Sequence, residues 1–403
     1  MFPQPSALPR ELRLIDRRST SVAFDLHERD RRFTGSALGA RKTKEVIVTS
    51  RILRYSALLI VLAIYDGTFT SPLSASGSGG ATTAQIWLGT LGGNGSQAYE
   101  VSSTGSVVVG YASNVSGQYR AFRWTATGGM QDLGDFGYAY AAAYGVSGDG
   151  SIVVGEAWDA SFRQRAFRWT AAGGLQDLGT LGGPYAVSAD ISANGLVVVG
   201  ESWNAASNTR AFRWTAAGGM EDLGTFGGYG SGAYGVSADG SVVVGSADDA
   251  NGQRRAFRWT AVGGMQYLGT LGGFESEAFG VSADGSVVIG RSTNAANTRR
   301  AFRWTAAGGM QDIGSLGGVG SEAFDVSADG SVVVGDAADA SGQTRAFRWT
   351  AAGGMKSLST LYSGSIGSGS YFVFANAISA DGGHVVGYGY NQRAQRYEAF
   401  STN

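Results

Sequence analysis

Arg255-Ala-Phe-Arg-Trp-Thr-Ala-Val-Gly-Gly264 is the stretch that decides the fold, because something close to it recurs through the chain at an unvarying interval. Trp124, Trp169, Trp214, Trp259, Trp304 and Trp349 are each 45 residues apart, and a degenerate last copy ends the chain at Glu398-Ala399-Phe400. A period of this size marks a supersecondary unit that cannot bury its own apolar face and must stack on neighbours.

One unit, residues 268–312, serves as the template and divides into four extended segments. Ser276-Glu-Ala-Phe-Gly-Val-Ser282 predicts a short strand, and Ala283-Asp-Gly-Ser286 a hairpin turn with Asp-Gly as its two-residue connection. Ser286-Val-Val-Ile-Gly290 is continuously apolar, which predicts a second strand buried on both faces. After the polar loop Ser292-Thr-Asn-Ala-Ala-Asn-Thr298, alternation predicts a third strand over Arg300-Ala-Phe-Arg-Trp-Thr305, with Phe302 and Trp304 opposite Ala301 and Arg303. Ala306-Ala-Gly-Gly309 turns into a fourth strand, Met310-Gln-Asp-Ile-Gly314. Four short antiparallel strands in about 45 residues match a propeller blade.

The copies do not tally end to end. The chain opens on an unpartnered fourth strand, Gln85-Ile-Trp-Leu-Gly-Thr-Leu-Gly-Gly93, and ends at Phe400 on a unit that lacks one. A ring resolves this if the segment 86–90 pairs beside residues 396–401, and closure also removes exposed sheet edges. The expectation is an all-β, seven-bladed β-propeller over residues 84–403, closed by its N-terminal strand.

Composition agrees. Among 403 residues, 43% are hydrophobic, 16% charged and 65 are glycine, the mixture that short strands and tight turns require. The absence of cysteine excludes a disulfide framework, a thiolate zinc site and a catalytic thiol. The net charge of -1 conceals +5 over residues 1–83 and -6 over 84–403, and a mildly acidic repeat region argues against a nucleic-acid surface.

Ahead of the repeats, residues 1–50 show no period and read as an unstructured or mis-assigned extension. Residues 51–76 have the three parts of a secretory signal: Arg51 and Arg54, the apolar run Ala57-Leu-Leu-Ile-Val-Leu-Ala-Ile-Tyr65, and a small-residue exit. As a helix that run rises only about 13 to 14 Å against a bilayer core of about 30 Å, so a stable membrane span is not expected. A Ser/Gly/Thr linker, residues 77–83, follows.

Val236-Ser-Ala-Asp-Gly-Ser-Val-Val-Val-Gly245, the Ala-Phe-Arg-Trp core and the Gly-Gly-Met-Gln-Asp-Leu-Gly-Thr-Leu-Gly-Gly segment together resemble the extracellular HAF repeat family, over residues 86–400. The resemblance implies an exported bacterial repeat protein without an established catalytic activity. The eponymous histidine is missing: six copies read Arg-Ala-Phe and the last Glu-Ala-Phe.

Comparison of the copies separates two kinds of turn. Those after the first and third strands are nearly constant, as in Asp149-Gly150 and Asp239-Gly240; those after the second strand and between units vary. Successive turns of an up-and-down blade alternate between its ends, so both variable sets fall on one face. Trp158, Trp203, Tyr138, Tyr185, Tyr229 and Phe274 are the candidate ligand contacts there, since variable loops on a rigid scaffold carry recognition and aromatic rings supply contact area. The bland reading is that each ring packs on its own loop. The expected partner is an extracellular protein or a carbohydrate, bound by a monomer.

Other features read as structural. The third-strand Phe and Trp belong to the core, and the recurring arginines Arg123, Arg168, Arg213, Arg258, Arg303 and Arg348 are expected to pair with fourth-strand Asp132, Asp177, Asp222 and Asp312. Glu100, Asp190 and Asp325 share one first-strand position; facing a channel they could hold a hard cation such as Ca2+, or serve a propeller hydrolase or lyase, although they sit in separate units. His384 stands alone, and no Gly-x-Ser-x-Gly, HExxH or phosphate-loop pattern is present, so no cofactor is expected.

Overall fold

A computed structural model of the chain describes residues 86–402, all within the second of the two units into which the chain divides, residues 73–403. The extension, the signal-like segment and the linker lie outside the described residues.

The template unit forms the strands Gly272–Val281, Val287–Asn294, Arg299–Thr305 and Gly309–Asp312, each antiparallel to the next. The Asp-Gly turn is wider than a two-residue hairpin. Ser282 N donates to Val287 O at 2.9 Å, so the loop is Ala283-Asp-Gly-Ser286, a four-residue connection with Gly285 at φ +73°. Asp284 Oδ1 holds it by accepting from Ser282 Oγ at 2.7 Å and from Ser286 N at 3.0 Å.

A register shift between Ala278 and Gly280 makes a β-bulge in the first strand, and the bulge explains the glycine that ends every apolar second-strand run. A Cβ on Gly290 would lie 2.0 Å from the Glu277 carbonyl oxygen, and one on Gly245 1.9 Å from that of Gly232. Only glycine allows the two strands to pair there.

The sheets comprise five of four strands and one of eight. The eight-stranded sheet is two four-stranded sets joined by one parallel bridge, Tyr119↔Tyr140. The core lies between units: Phe302 and Trp304 pack with Ala278 and Val288 of their own unit on Val242, Val244 and Ala256 of the preceding one. Alternation thus gives each wedge one large face and one small face, and a buried Phe contributes about 1.5–3 kcal/mol by its removal from water.

Two features close the array. Ile86 O accepts from Ser401 N at 2.8 Å, and Trp87–Gly89 pairs antiparallel with Arg396–Ser401 in the register Trp87↔Phe400 and Gly89↔Ala399. The first segment of the repeat region therefore completes the last sheet, whose order runs from Trp87–Gly89 through Arg396–Ser401 and Val385–Asn391 to Tyr371–Ile378. A collar of backbone hydrogen bonds also links the constant turns: Ser103 N to Gly148 O (3.1 Å), Gly148 N to Ala193 O (2.9 Å), Asn194 N to Ala238 O (3.2 Å), Ala238 N to Ala283 O (3.1 Å), Ala283 N to Ala328 O (3.0 Å), Ala328 N to Ala380 O (3.0 Å) and Ala380 N to Ser103 O (3.2 Å). The collar returns to the turn where it began. The fold is an all-β propeller with four-stranded blades.

Candidate binding face

The collar marks one end of the blades. At the other, the start of each first strand pairs with the end of the second, as in Gly272↔Asn294 and Gly227↔Asp249, which brings the two variable loop sets together. The loop after the second strand is built around an acid or amide that caps its own turn: Asn294 Oδ1 accepts from Ala296 N and Thr298 N, both at 3.0 Å, and Asp249 Oδ1 accepts from Asn251 N at 2.9 Å and Gln253 N at 3.0 Å. The backbone is fixed while the side chains it displays differ from copy to copy.

Tyr229 and Phe274 are 82% and 66% exposed, and their carbonyls are pinned from the preceding unit, by Arg210 Nη1 at 2.9 Å and Arg255 Nη1 at 3.1 Å. Tyr138 stacks on Trp158 with centroids 5.9 Å apart, and Tyr140 meets the same indole edge-on at 5.8 Å. Tyr185 and Trp203 make an edge contact at 4.8 Å. Trp158, Trp203 and Tyr185 are half-buried in these pairs, so the six expected contacts divide into exposed rings and rings that support them. Phe162, 60% exposed and 4.7 Å from Tyr138, belongs with them and was not singled out in the sequence.

Glu100, Asp190 and Asp325 do occupy equivalent places, but their oxygens serve the backbone. Glu100 accepts from Val101 N at 2.9 Å. Asp190 accepts from Ile191 N at 2.7 Å and from Val236 N of the next unit at 3.0 Å; Asp325 accepts from Val326 N and from Ile378 N of the next unit, both at 2.8 Å. Asp190 and Asp325 staple wedge to wedge. Among the described residues no group of three or more His, Cys, Asp or Glu is placed to hold a metal ion. His384 Nδ1 lies 3.2 Å from Thr402 O.

The arginine expectation needs correction. Arg123, Arg258 and Arg303 direct Nε to the carbonyls of Gly150, Gly285 and Gly330, the turn glycines of the following unit, at 3.1 to 3.3 Å. The fourth-strand carboxylates are instead met by the arginine three residues earlier: Asp132 by Arg120 at 3.0 Å, Asp222 by Arg210 at 3.5 Å and Asp312 by Arg300 at 3.0 Å. Strand alternation puts the two arginines of each third strand on opposite faces, and only the earlier one faces the fourth-strand acid.

Beneath the variable loops lies a buried polar layer that sequence reasoning missed. Glu277, 4% exposed, accepts from Arg291 Nε at 2.6 Å and Arg254 Nη1 at 3.5 Å, and Arg291 Nη1 reaches Glu322 of the next unit at 3.1 Å. Burial works against the charge on Arg291, but Glu277 and Glu322 outweigh it and hold the guanidinium charged. Glu156 differs, because burial dominates and pushes its carboxyl up, with Tyr144 Oη donating at 2.7 Å and working the other way. Each charge is desolvated and partnered, which suits a structural layer.

No family model matches the chain, and no curated protein matches it. Solved structures do. The β-propeller domain of the Trilobed protease from Pyrococcus furiosus is similar at 10% identity and a TM-score of 0.52, with 79% of this chain and 96% of that chain covered. The BP39L lectin from Burkholderia pseudomallei is similar at 9% identity, TM-score 0.47, covering 78% and 95%. TolB from Acinetobacter baumannii is similar at 11% identity, TM-score 0.44, covering 75% of this chain and 65% of the TolB chain. At these identities the likeness to the protease domain shows the β-propeller fold and nothing further.

Proposed function

We propose that the chain is an exported, HAF-like propeller of seven blades that acts as a non-enzymatic scaffold and presents its variable loop face to a carbohydrate, protein or cell-surface ligand. One observation carries the reading: the turns that stay constant are tied into the collar, while the loops that vary form the opposite end and carry the exposed rings of Tyr229 and Phe274. The return of the collar to Ser103 after one turn from each unit supports the blade number. The charge pattern and apolar run of residues 51–76 support export. The backbone engagement of Asp190 and Asp325 supports a scaffold over a hydrolase or lyase.

The test is adhesion of the purified protein to cell surfaces and to immobilised extracellular material, with Trp158→Ala and Trp203→Ala combined. Both indoles support the loop face from half-buried positions, so the double variant is expected to fold and to lose adhesion. Undiminished adhesion by a folded double variant contradicts the reading.

A further inference from the structure

The loop after the second strand puts one residue in the left-handed region in each copy: Gly117 (φ 75°), Phe162 (60°), Ser207 (60°), Gly252 (75°), Asn297 (56°), Gly342 (80°) and Gln395 (53°). Glycine and asparagine take that conformation at least cost, and a bulky side chain there is strained. Phe162 fits the repeat's backbone worst, and its ring is 60% exposed, so burial does not offset the strain. Strain of this kind persists where the displaced side chain is put to use.

The use follows from what surrounds the ring. Phe162 lies 4.7 Å from Tyr138 at 58°, and Tyr138 lies at 24° on Trp158, so two exposed rings, Phe162 at 60% and Tyr138 at 36%, meet at a corner backed by an indole. The charges beside it cancel, two guanidiniums against two carboxylates: Asp159 Oδ2 accepts from Arg163 Nε at 2.9 Å and Arg165 Nε at 3.2 Å, Asp177 lies 3.8 Å from the same Arg165 Nε, and Asp159 Oδ1 takes the backbone N–H of Ser161 and Arg163. A polyanion site needs uncompensated cations. On later units exposed apolar side chains recur singly, at Tyr229, Phe274 and Val319, each preceded by a Gly-Gly pair. These are separate small platforms, whereas a protein partner of standard size needs about 800 Å² of continuous complementary surface.

A ligand that suits spaced ring faces without net charge is itself a repeat of small units with an apolar face and a hydroxylated edge. The geometry points to the Tyr138–Phe162 corner as the stacking subsite for one neutral pyranose of a glycan chain, an inference that rests on the scaffold reading and names its ligand class. The C–H face of the sugar lies on the rings, and Arg163, whose side chain is 48% exposed, has guanidinium N–H groups beyond the Nε taken by Asp159 to offer a hydroxyl.

The full chain is run in native gels containing dextran, laminarin or galactomannan, with alginate as the polyanion. At least one neutral polysaccharide retards the protein, and raising salt from about 0.05 to about 0.5 M leaves the retardation in place, since no ion pair with the ligand is screened. Phe162→Gly supplies the residue that the repeat itself has at Gly117, Gly252 and Gly342, so its unfolding temperature stays level or rises while the affinity falls about tenfold or more. Retardation of Phe162→Gly equal to that of the parent, retardation by alginate alone, or none in any neutral gel overturns the inference. The adhesion assay separates the two readings: adhesion lost in the Trp158/Trp203 double variant, with no neutral gel retarding the parent, leaves the loop face standing and removes the glycan. Adhesion untouched in both variants removes both.

Discussion

Phe400→Ala perturbs the blade assembled from both ends of the repeat region, and its cost can be worked from the packing. Phe400 is fully buried, its ring is 4.0 Å from Phe372 and 6.4 Å from Trp87, and it shares a cluster with Ile86, Val334, Ala346 and Leu358. Truncating a buried Phe costs about 3–5 kcal/mol, in lost transfer energy and in the cavity left behind. Phe257 is the equivalent side chain of a blade made from continuous chain, also fully buried, and supplies the internal standard. If Trp87–Gly89 covers the last sheet, Phe400→Ala and Phe257→Ala destabilise by amounts within about 1 kcal/mol of each other. If that edge is bare, Phe400 is partly solvated in the parent and its truncation costs no more than a surface change, within about 0.5 kcal/mol. Urea unfolding followed by tryptophan fluorescence and by circular dichroism gives both values, and coincidence of the two probes shows that one transition is measured. A costly Phe257→Ala beside a neutral Phe400→Ala refutes the closure.

Three further outcomes are expected. Gly245→Ala puts a Cβ against the Gly232 carbonyl oxygen and costs about 1–3 kcal/mol or more, whereas Gly252→Ala, at φ +75° with no atom within 4 Å, costs only the left-handed strain of about 1–2 kcal/mol; urea midpoints that reverse this order contradict the bulge argument. Glu277→Gln removes one partner of a desolvated guanidinium and falls near the lower end of about 3–5 kcal/mol, because Glu322 still holds Arg291; rescue by high salt would mean that the layer is solvated. The Asp284 carboxyl is lowered to about 2 by the Ser282 hydroxyl first, then by the Ser286 N–H and hydroxyl. A depressed folded pKa gives stability that is present above the ordinary 3.8 and lost as pH falls through about 2, so stability should drop between those limits and less steeply in Ser282→Ala; an unchanged slope sinks the assignment.

The blade was legible because its signals are local. The Trp interval, the Asp-Gly turns and the alternation of Phe302 and Trp304 each report within one unit, and the unmatched segment at residues 86–90 pointed to closure. What stayed hidden depends on neighbours 45 or more residues away. Asp190 reads as a channel acid until Val236 N of the next unit is found on its carboxylate, and Glu277 reads as an ordinary strand residue until the ring buries it against Arg291 and Arg254. The arginine pairing failed for a different reason. Both arginines of Arg-Ala-Phe-Arg recur equally, and only strand register tells which of them meets Asp312. Phe162 could have been found, since aligning the copies sets it in a column with Gly117, Gly252 and Gly342, where a Phe has no conformational reason to be.

The most direct test of the ring joins its two ends covalently. The chain has no cysteine, so Ile86→Cys with Ser401→Cys creates the only pair that can form a disulfide, at positions where Ser401 N already donates to Ile86 O at 2.8 Å. Mild oxidation should consume both thiols within the monomer and yield a species of altered mobility in non-reducing gels that reverts on reduction. Two thiols that remain titratable, or that couple only between chains, would contradict a circle of blades sealed by its first strand.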